Sequence, residues 1–496
     1  MRLRTTLALA WLASSVAPAA TPAPDIVSVL DRARKAPGEF AADSLIRLAS
    51  LETLDKPKRI ELLEEAFRRA GESKQPLKRR VVITRVAGPA RFLARAYGQD
   101  LDGLSLELRA VEAVLPLDPG KAREWALKIP PPQVPQAACS DFQTYDVDRL
   151  YAVLGQVSRQ AYTARQAEGG DVLRLLRPQI AALTSPGQAG PAAEMLAGIT
   201  IGDRDFQSLV EDFQQALRKM TGDDRSFTAA ETGLGTQIEA LVHACQRRSI
   251  STLPLLEGYR LYLVNHLAGG RCADDELLRP LTEGTTVTLL GEVIDPAAPA
   301  AIQFFNERLH VSPLLPLTET EVTPSHVAGH AVGLEGCQDA GCKAASGLYA
   351  GLFGDDKGGL LTDAQRRTPE WRSALEKFLD AVSQGWKDGA GEAGLRTFTE
   401  KCEHYAGAVE LAREPADKEL VTRTWLDYVE RAGEVRGTPA VWFLPIRQIL
   451  ARVRLDPAGM QKVIEDLRRR DDPVIALYLA LDAVAPPSTA ALLMTL

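Results

Sequence analysis

The chain has 496 residues, 45% of them apolar and 25% charged, with a formal charge of −7. That apolar share excludes a disordered chain, and the length exceeds one ordinary core, so two or three sub-domains or one elongated array are expected. The densest basic run, Lys78-Arg79-Arg80, is too short for a broad nucleic-acid surface or an electrostatic membrane anchor.

In chain order, the first element reads as a secretory leader. Arg2 and Arg4 precede an apolar stretch from Leu7 to Val16, and Ala17-Pro18-Ala19 supplies the small residues of a cleavage site, so residues 1–19 are expected to be removed. The stretch is shorter than the roughly twenty residues a bilayer span needs, and no later candidate span appears. The expected location is extracytoplasmic, periplasmic or secreted. Six cysteines (Cys139, Cys245, Cys272, Cys337, Cys342 and Cys402) make an even count for such a compartment, with connectivity left open.

The rest reads as helix. An N-terminal helical segment is placed at 20–130 and ends at Ile129-Pro130-Pro131-Pro132-Gln133-Val134-Pro135, which is unable to be helical. A central helical domain follows at 136–312. In it Val147, Leu150, Tyr151, Leu154 and Val157 form one apolar stripe, as do Phe206, Leu209, Val210, Phe213, Leu217 and Met220. Leu253 to Leu267 is about one further helix, and Thr285 to Ile294, rich in β-branched residues, is left open between strand and helix. A C-terminal helical domain is placed at 313–496, with a cysteine-containing loop at 337–342. Its stripe of Trp371, Leu375, Phe378, Leu379 and Val382 follows a Gly-rich turn at 351–359 that has too few carboxylates for calcium.

Helix starts are marked by Asp or Thr followed by Pro, at Asp118, Asp295, Thr323, Thr368, Thr438, Asp456 and Asp472. The side-chain oxygen accepts from a first-turn N–H, and proline at the next position has the right φ and no donor to waste. Pro439, Pro457 and Pro473 are spaced for one helix and a tight turn each. This spacing is similar to that of tetratricopeptide repeats, whose Trp, Leu-Gly, Tyr, Ala, Phe and Pro pattern does not recur; the similarity concerns architecture alone. The fold class is therefore all-α: antiparallel helical hairpins stacked as an irregular α-solenoid-like array.

Familiar catalytic motifs are missing: no nucleophile elbow, S-x-x-K pair, zinc helix, Walker loop or C-x-x-C occurs. The densest chemistry is Ser325 to Lys343, holding His326, His330, Cys337 and Cys342. A helix starting at Thr323-Pro324 would put both imidazoles on one face, and Cys2His2 is a known zinc set. Gly329, Gly333 and Gly336 weaken that helix, and an oxidising exterior favours a Cys337–Cys342 disulfide over two metal-binding thiolates. Cys245 and Cys272 flank the Leu253–Leu267 helix and form a second candidate pair. His243, His266, His310 and His404 read as ordinary core or surface histidines. No catalytic residue and no cofactor are assigned. The function expected is a protein-interaction or envelope scaffold binding other proteins or peptides. The alternative is a hydrolase-like enzyme, metal-assisted or not, with a pocket between helical domains, using His326, His330, Glu335 and Asp339.

Overall fold

Side-chain caps set many of the helix starts. Asp55, Asp102, Asp118, Thr368 and Asp472 each accept from a first-turn N–H, and Thr163 and Ser185 close reciprocal boxes with Gln166 and Gln188. Thr323, Thr438 and Asp456 lie outside the described residues, although helices begin at Pro439 and Pro457 as the sequence predicts. The computed structural model describes residues 25–82, 88–220, 224–268, 270–272, 287–289, 292–294, 306, 311, 314–322, 326–328, 339–354, 359–432, 439–452, 457–470 and 472–485. The leader segment and its cleavage site fall outside them.

The N-terminal part holds α1 (Ile26–Lys35), α2 (Gly38–Ala49), α3 (Lys56–Ala70), α4 (Pro89–Tyr97), α5 (Gly103–Val114) and α6 (Pro119–Lys128). Next come α7 (Asp148–Gln160), α8 (Ala164–Glu168), α9 (Asp171–Ala181), α10 (Pro186–Gly198), α11 (Asp203–Lys219), α12 (Ser226–Arg247) and α13 (Leu253–Ala268). After α14 (Glu319–Val322) follow α15 (Ala340–Phe353), α16 (Pro369–Asp380), α17 (Gly391–Leu411), α18 (Pro415–Arg431), α19 (Pro439–Arg452), α20 (Pro457–Arg469) and α21 (Pro473–Val484). The protein is all-α. Helices near in sequence pack as neighbours: α2 on α3, α3 on α5, α5 and α6 on α7, α7 on α10, α10 on α12, α11 on α13, and α17 on α18. The proline-rich 129–135 stretch is not helical, and packing continues across it.

Three short two-stranded pairings complete the described structure. β1 (Arg79–Val81) pairs antiparallel with β2 (Gln143–Tyr145), and β3 (Gly270–Cys272) pairs parallel with the later His326–Ala328 strand. β4 (Val287–Leu289) and β5 (Glu292–Ile294) form an antiparallel hairpin, which resolves the segment left open above as strand. The strand His326–Ala328, β6, corrects the helical placement of His326: its backbone is held by the ladder to Gly270 and Arg271 rather than by a helical turn. Glycines at 329, 333 and 336 weaken the local Thr323-Pro324 helix signal, and the ladder overrides it. The one-face argument for His326 and His330 therefore fails.

The two ends of the array meet. α21 packs on α1 and α2, while α4 packs on α17 and α19. Asp43 of α2, buried, accepts from Arg109 Nη2 at 2.6 Å and from the Tyr478 hydroxyl of α21 at 2.6 Å. Burial alone would raise the Asp43 carboxyl; Arg109, Arg47, Arg447 and the Tyr478 hydroxyl outweigh it and hold the group far below the usual carboxylate range. Around it, Phe443 packs edge-on to Phe40 and tilted against Tyr478, with ring centroids 5.0 and 4.4 Å away. Gln75 Oε1 accepts from Ala440 N at 2.9 Å, and Gln99 Nε2 donates to Ala440 O at 2.9 Å, so two buried glutamines cap the start of α19 from the other end of the chain.

Tyr478→Phe is expected to cost about 1–3 kcal/mol in urea denaturation, because it leaves a buried carboxylate oxygen unpaired. Asp43→Ala, which strands Arg109, is expected to cost more, about 3–5 kcal/mol. Because the carboxyl is lowered on folding, its contribution is complete above the ordinary aspartate pKa of about 4 and is lost as pH falls below it. The Asp43→Ala protein should lose that acid-side dependence.

Candidate functional site

The described chemistry gathers on α17 and the loop before it. That loop, Trp386-Lys387-Asp388-Gly389-Ala390-Gly391, follows a π-type turn at Ala381–Gly385 that closes α16. It bends through Gly391 at φ +58, a left-handed value that glycine adopts without strain. It then folds so tightly that a Cβ on Gly394 would collide with the Gly389 carbonyl oxygen.

Lys401 lies beneath this loop with no exposed surface. Its Nζ donates to Trp386 O at 2.6 Å and to Asp388 Oδ1 at 2.7 Å, and it sits 4.9 Å from the Tyr428 ring centroid and 5.7 Å from that of Trp386. A buried ammonium is tolerated only with partners of this kind. The Tyr428 hydroxyl donates to the same Asp388 Oδ1 at 3.2 Å. Burial first, then the nearby Cys402 and Asp388, push its phenol far above the ordinary tyrosine value, so it stays a donor. Asp388 keeps 60% of its side chain exposed, at the edge of a cavity of about 420 Å³. The cavity lies between the start of α17 and the end of α18 and is lined by Asp388, Gly391, Leu395, Phe398, Tyr428 and Arg431, among others.

A second pair sits about one turn further along α17, beyond Trp386. His404 Nδ1 lies 2.8 Å from its own helix's Glu400 O, a partner that only accepts, so Nδ1 carries the proton. Nε2 is then the acceptor, 3.1 Å from Ser346 Oγ on α15. Tyr349, Phe378 and Trp386 surround the imidazole at 5.5 to 6.3 Å between centroids. Burial lowers the His404 pKa, which keeps the ring neutral near pH 7. This is the arrangement of a hydroxyl beside a base, with a backbone carbonyl where a carboxylate would orient a triad.

The residues singled out from sequence are distributed differently. His330, Cys337, Glu335 and His310 lie outside the described residues, as do the side chains of His326 and Cys272. Asp339 is the N-cap of α15, accepting from Cys342 N at 2.7 Å. Among the described residues no group of three or more His, Cys, Asp or Glu is placed to hold a metal. Cys245 and Cys402 are free, buried thiols, whereas Cys139 and Cys342 are not free. The Cys245–Cys272 pairing is thereby corrected: Cys245 lies on the core face of α12, with its thiol pushed up to about 11 by burial. His266 is buried, with Nδ1 2.9 Å from Tyr262 O, and His243 is exposed beside Gln246. Lys401, Asp388, Tyr428 and Ser346 went unmarked in the sequence; the Asp-Gly-Ala-Gly run ahead of an amphipathic helix was the available signal.

Asp388→Asn should cost about 2–4 kcal/mol in chemical denaturation, because it keeps an amide oxygen for Lys401 but removes the charge that neutralises the buried ammonium. Lys401→Met, which keeps the stem, should cost less. The double variant should be more stable than Asp388→Asn alone; an additive loss would disprove the coupling. In comparisons with known proteins, no family model matches the chain and no curated protein matches it.

Proposed function

We propose that the protein is an extracytoplasmic helical scaffold that binds a protein or peptide partner. The observation that carries this reading is the packing of helix on neighbouring helix along the chain, since arrays of this kind offer an extended face for partners. The apolar side chains Phe353 and Leu360, 46% and 68% exposed where α15 ends, add the surface a partner would cover. The location rests on the leader-like N-terminus and on the sequence spacing of Cys337 and Cys342, which suits a bridge.

Expressed in full with a C-terminal tag, the chain should be recovered outside the cytoplasm beginning at Ala20, with Cys337 and Cys342 in one bridged peptide before reduction. A partner should co-purify in stoichiometric amount and be lost on Phe353→Asp with Leu360→Asp, at unchanged melting temperature. Retention of the leader, or binding indifferent to both substitutions, would count against the reading.

The Ser346–His404 pair favours a second reading, a hydrolase-like enzyme in which Ser346 Oγ passes its proton to His404 Nε2 as it attacks an acyl or phosphonyl centre. A fluorophosphonate probe should then label Ser346 with release of fluoride, and labelling should vanish in Ser346→Ala and His404→Gln. An unlabelled wild-type protein removes this reading.

A further inference from the structure

The cavity at the open end of the α17–α18 hairpin has charge and shape that neither reading uses. Its volume, about 420 Å³, is in the range of small-molecule sites. Leu395, Phe398, Ala390 and Ala432 make about half of its lining apolar. Two charged side chains reach its wall, and they are not equivalent. Asp388 is already neutralised: its Oδ1 takes the Lys401 ammonium and the Tyr428 hydroxyl. Arg431 is exposed, and its Nε donates to Asp427 O at 3.2 Å, a neutral acceptor; no carboxylate among the described residues pairs with its terminal nitrogens. Counted with Lys401, the wall carries an excess of one positive charge, and its planar fork matches a carboxylate.

We propose that this cavity binds a monoanionic organic carboxylate, with the carboxylate on Arg431 and a short apolar or aromatic group against Leu395 and Phe398. A phosphate dianion is disfavoured, because the wall's excess of one positive charge leaves its second negative charge unmatched. An ammonium-bearing ligand is disfavoured too, since Lys401 already neutralises Asp388 and Arg431 would repel a further cation. The same chemistry is offered by a free acid and by the C-terminus of a peptide. The site does not depend on the scaffold reading.

The test is calorimetric titration of the full-length protein with 3-phenylpropanoate, its amide, inorganic phosphate, and acetyl-Ala-Ala-Phe with a free or amidated C-terminus. The free acid should bind saturably, and the amide about tenfold or more weakly, as expected for loss of a charge-assisted pair. Arg431→Gln, at an exposed position, should remove that preference while leaving the melting temperature unchanged. Leu395→Trp should fill the cavity and abolish binding. Binding of the free-acid peptide alone assigns the source as a chain terminus; binding of both acids assigns it as any small acid. Equal binding of acid and amide, tighter binding of phosphate, or no saturable binding of either acid overturns the proposal. So does an acid preference that survives Arg431→Gln.

Discussion

A carboxylate of α2 is buried against a tyrosine of α21, and that contact fixes how helices from opposite ends of the chain pack together. A stack of helical hairpins has two ends, each presenting an apolar face that neighbours cover elsewhere in the stack. Here each end covers the other. Asp43, Arg109 and Tyr478 supply the polar centre of that closure, and Phe40 and Phe443 supply its apolar surround. The polar part is costly to bury and is worthwhile only when every group is partnered, so it specifies one relative placement of α2 and α21. Gln75 and Gln99 repeat the logic one helix along, fixing α19 through the two backbone groups of Ala440.

The closure reaches the candidate site through α4, which packs on both α17 and α19. α17 is buried along Phe398, Cys402 and Tyr405, spaced as one helical face. That face anchors the helix, and the positions beside it, Lys401 and His404, inherit their places from it. The loop above is held in turn by Lys401, which ties Trp386 O to Asp388. A cavity edge held by buried contacts loses little freedom when occupied, which is the physical meaning of a preformed site. Local stability and site geometry thus rest on the same few atoms.

The elements were largely legible in the sequence because their causes are local. The stripe from Phe206 to Met220 became α11, that from Trp371 became α16, and Asp118, Thr368 and Asp472 cap helices as Asp/Thr-Pro pairs should. What was illegible depends on distance along the chain. Ser346 and His404 are 58 residues apart, and Asp43 and Tyr478 are 435 apart, with no spacing rule to connect them. His326 failed for a related reason. Its Thr-Pro start signal was local, while the partner strand at Gly270 that overrode it lies in another part of the chain. Lys401 was hidden by its type, since a lysine on a helix normally reads as solvent-facing.

The cysteines show the same division and refine the argument about compartment. An even count suggested pairing, with Cys245–Cys272 one candidate, yet Cys245 and Cys402 remain thiols. Both sit on buried helix faces, and Cys402 Sγ accepts from Trp425 Nε1 at 3.4 Å. Burial raises both thiols, Cys245 to about 11. At pH 7 a thiol with that pKa is ionised in roughly one molecule in ten thousand. Thiol exchange and oxidation proceed through the thiolate, so these two residues are protected by position even where solvent is oxidising. Free thiols in this chain therefore do not argue for a reducing compartment. They report that α12 and α17 buried their sulfurs as small apolar groups, and that any cross-linking has to involve the remaining four cysteines.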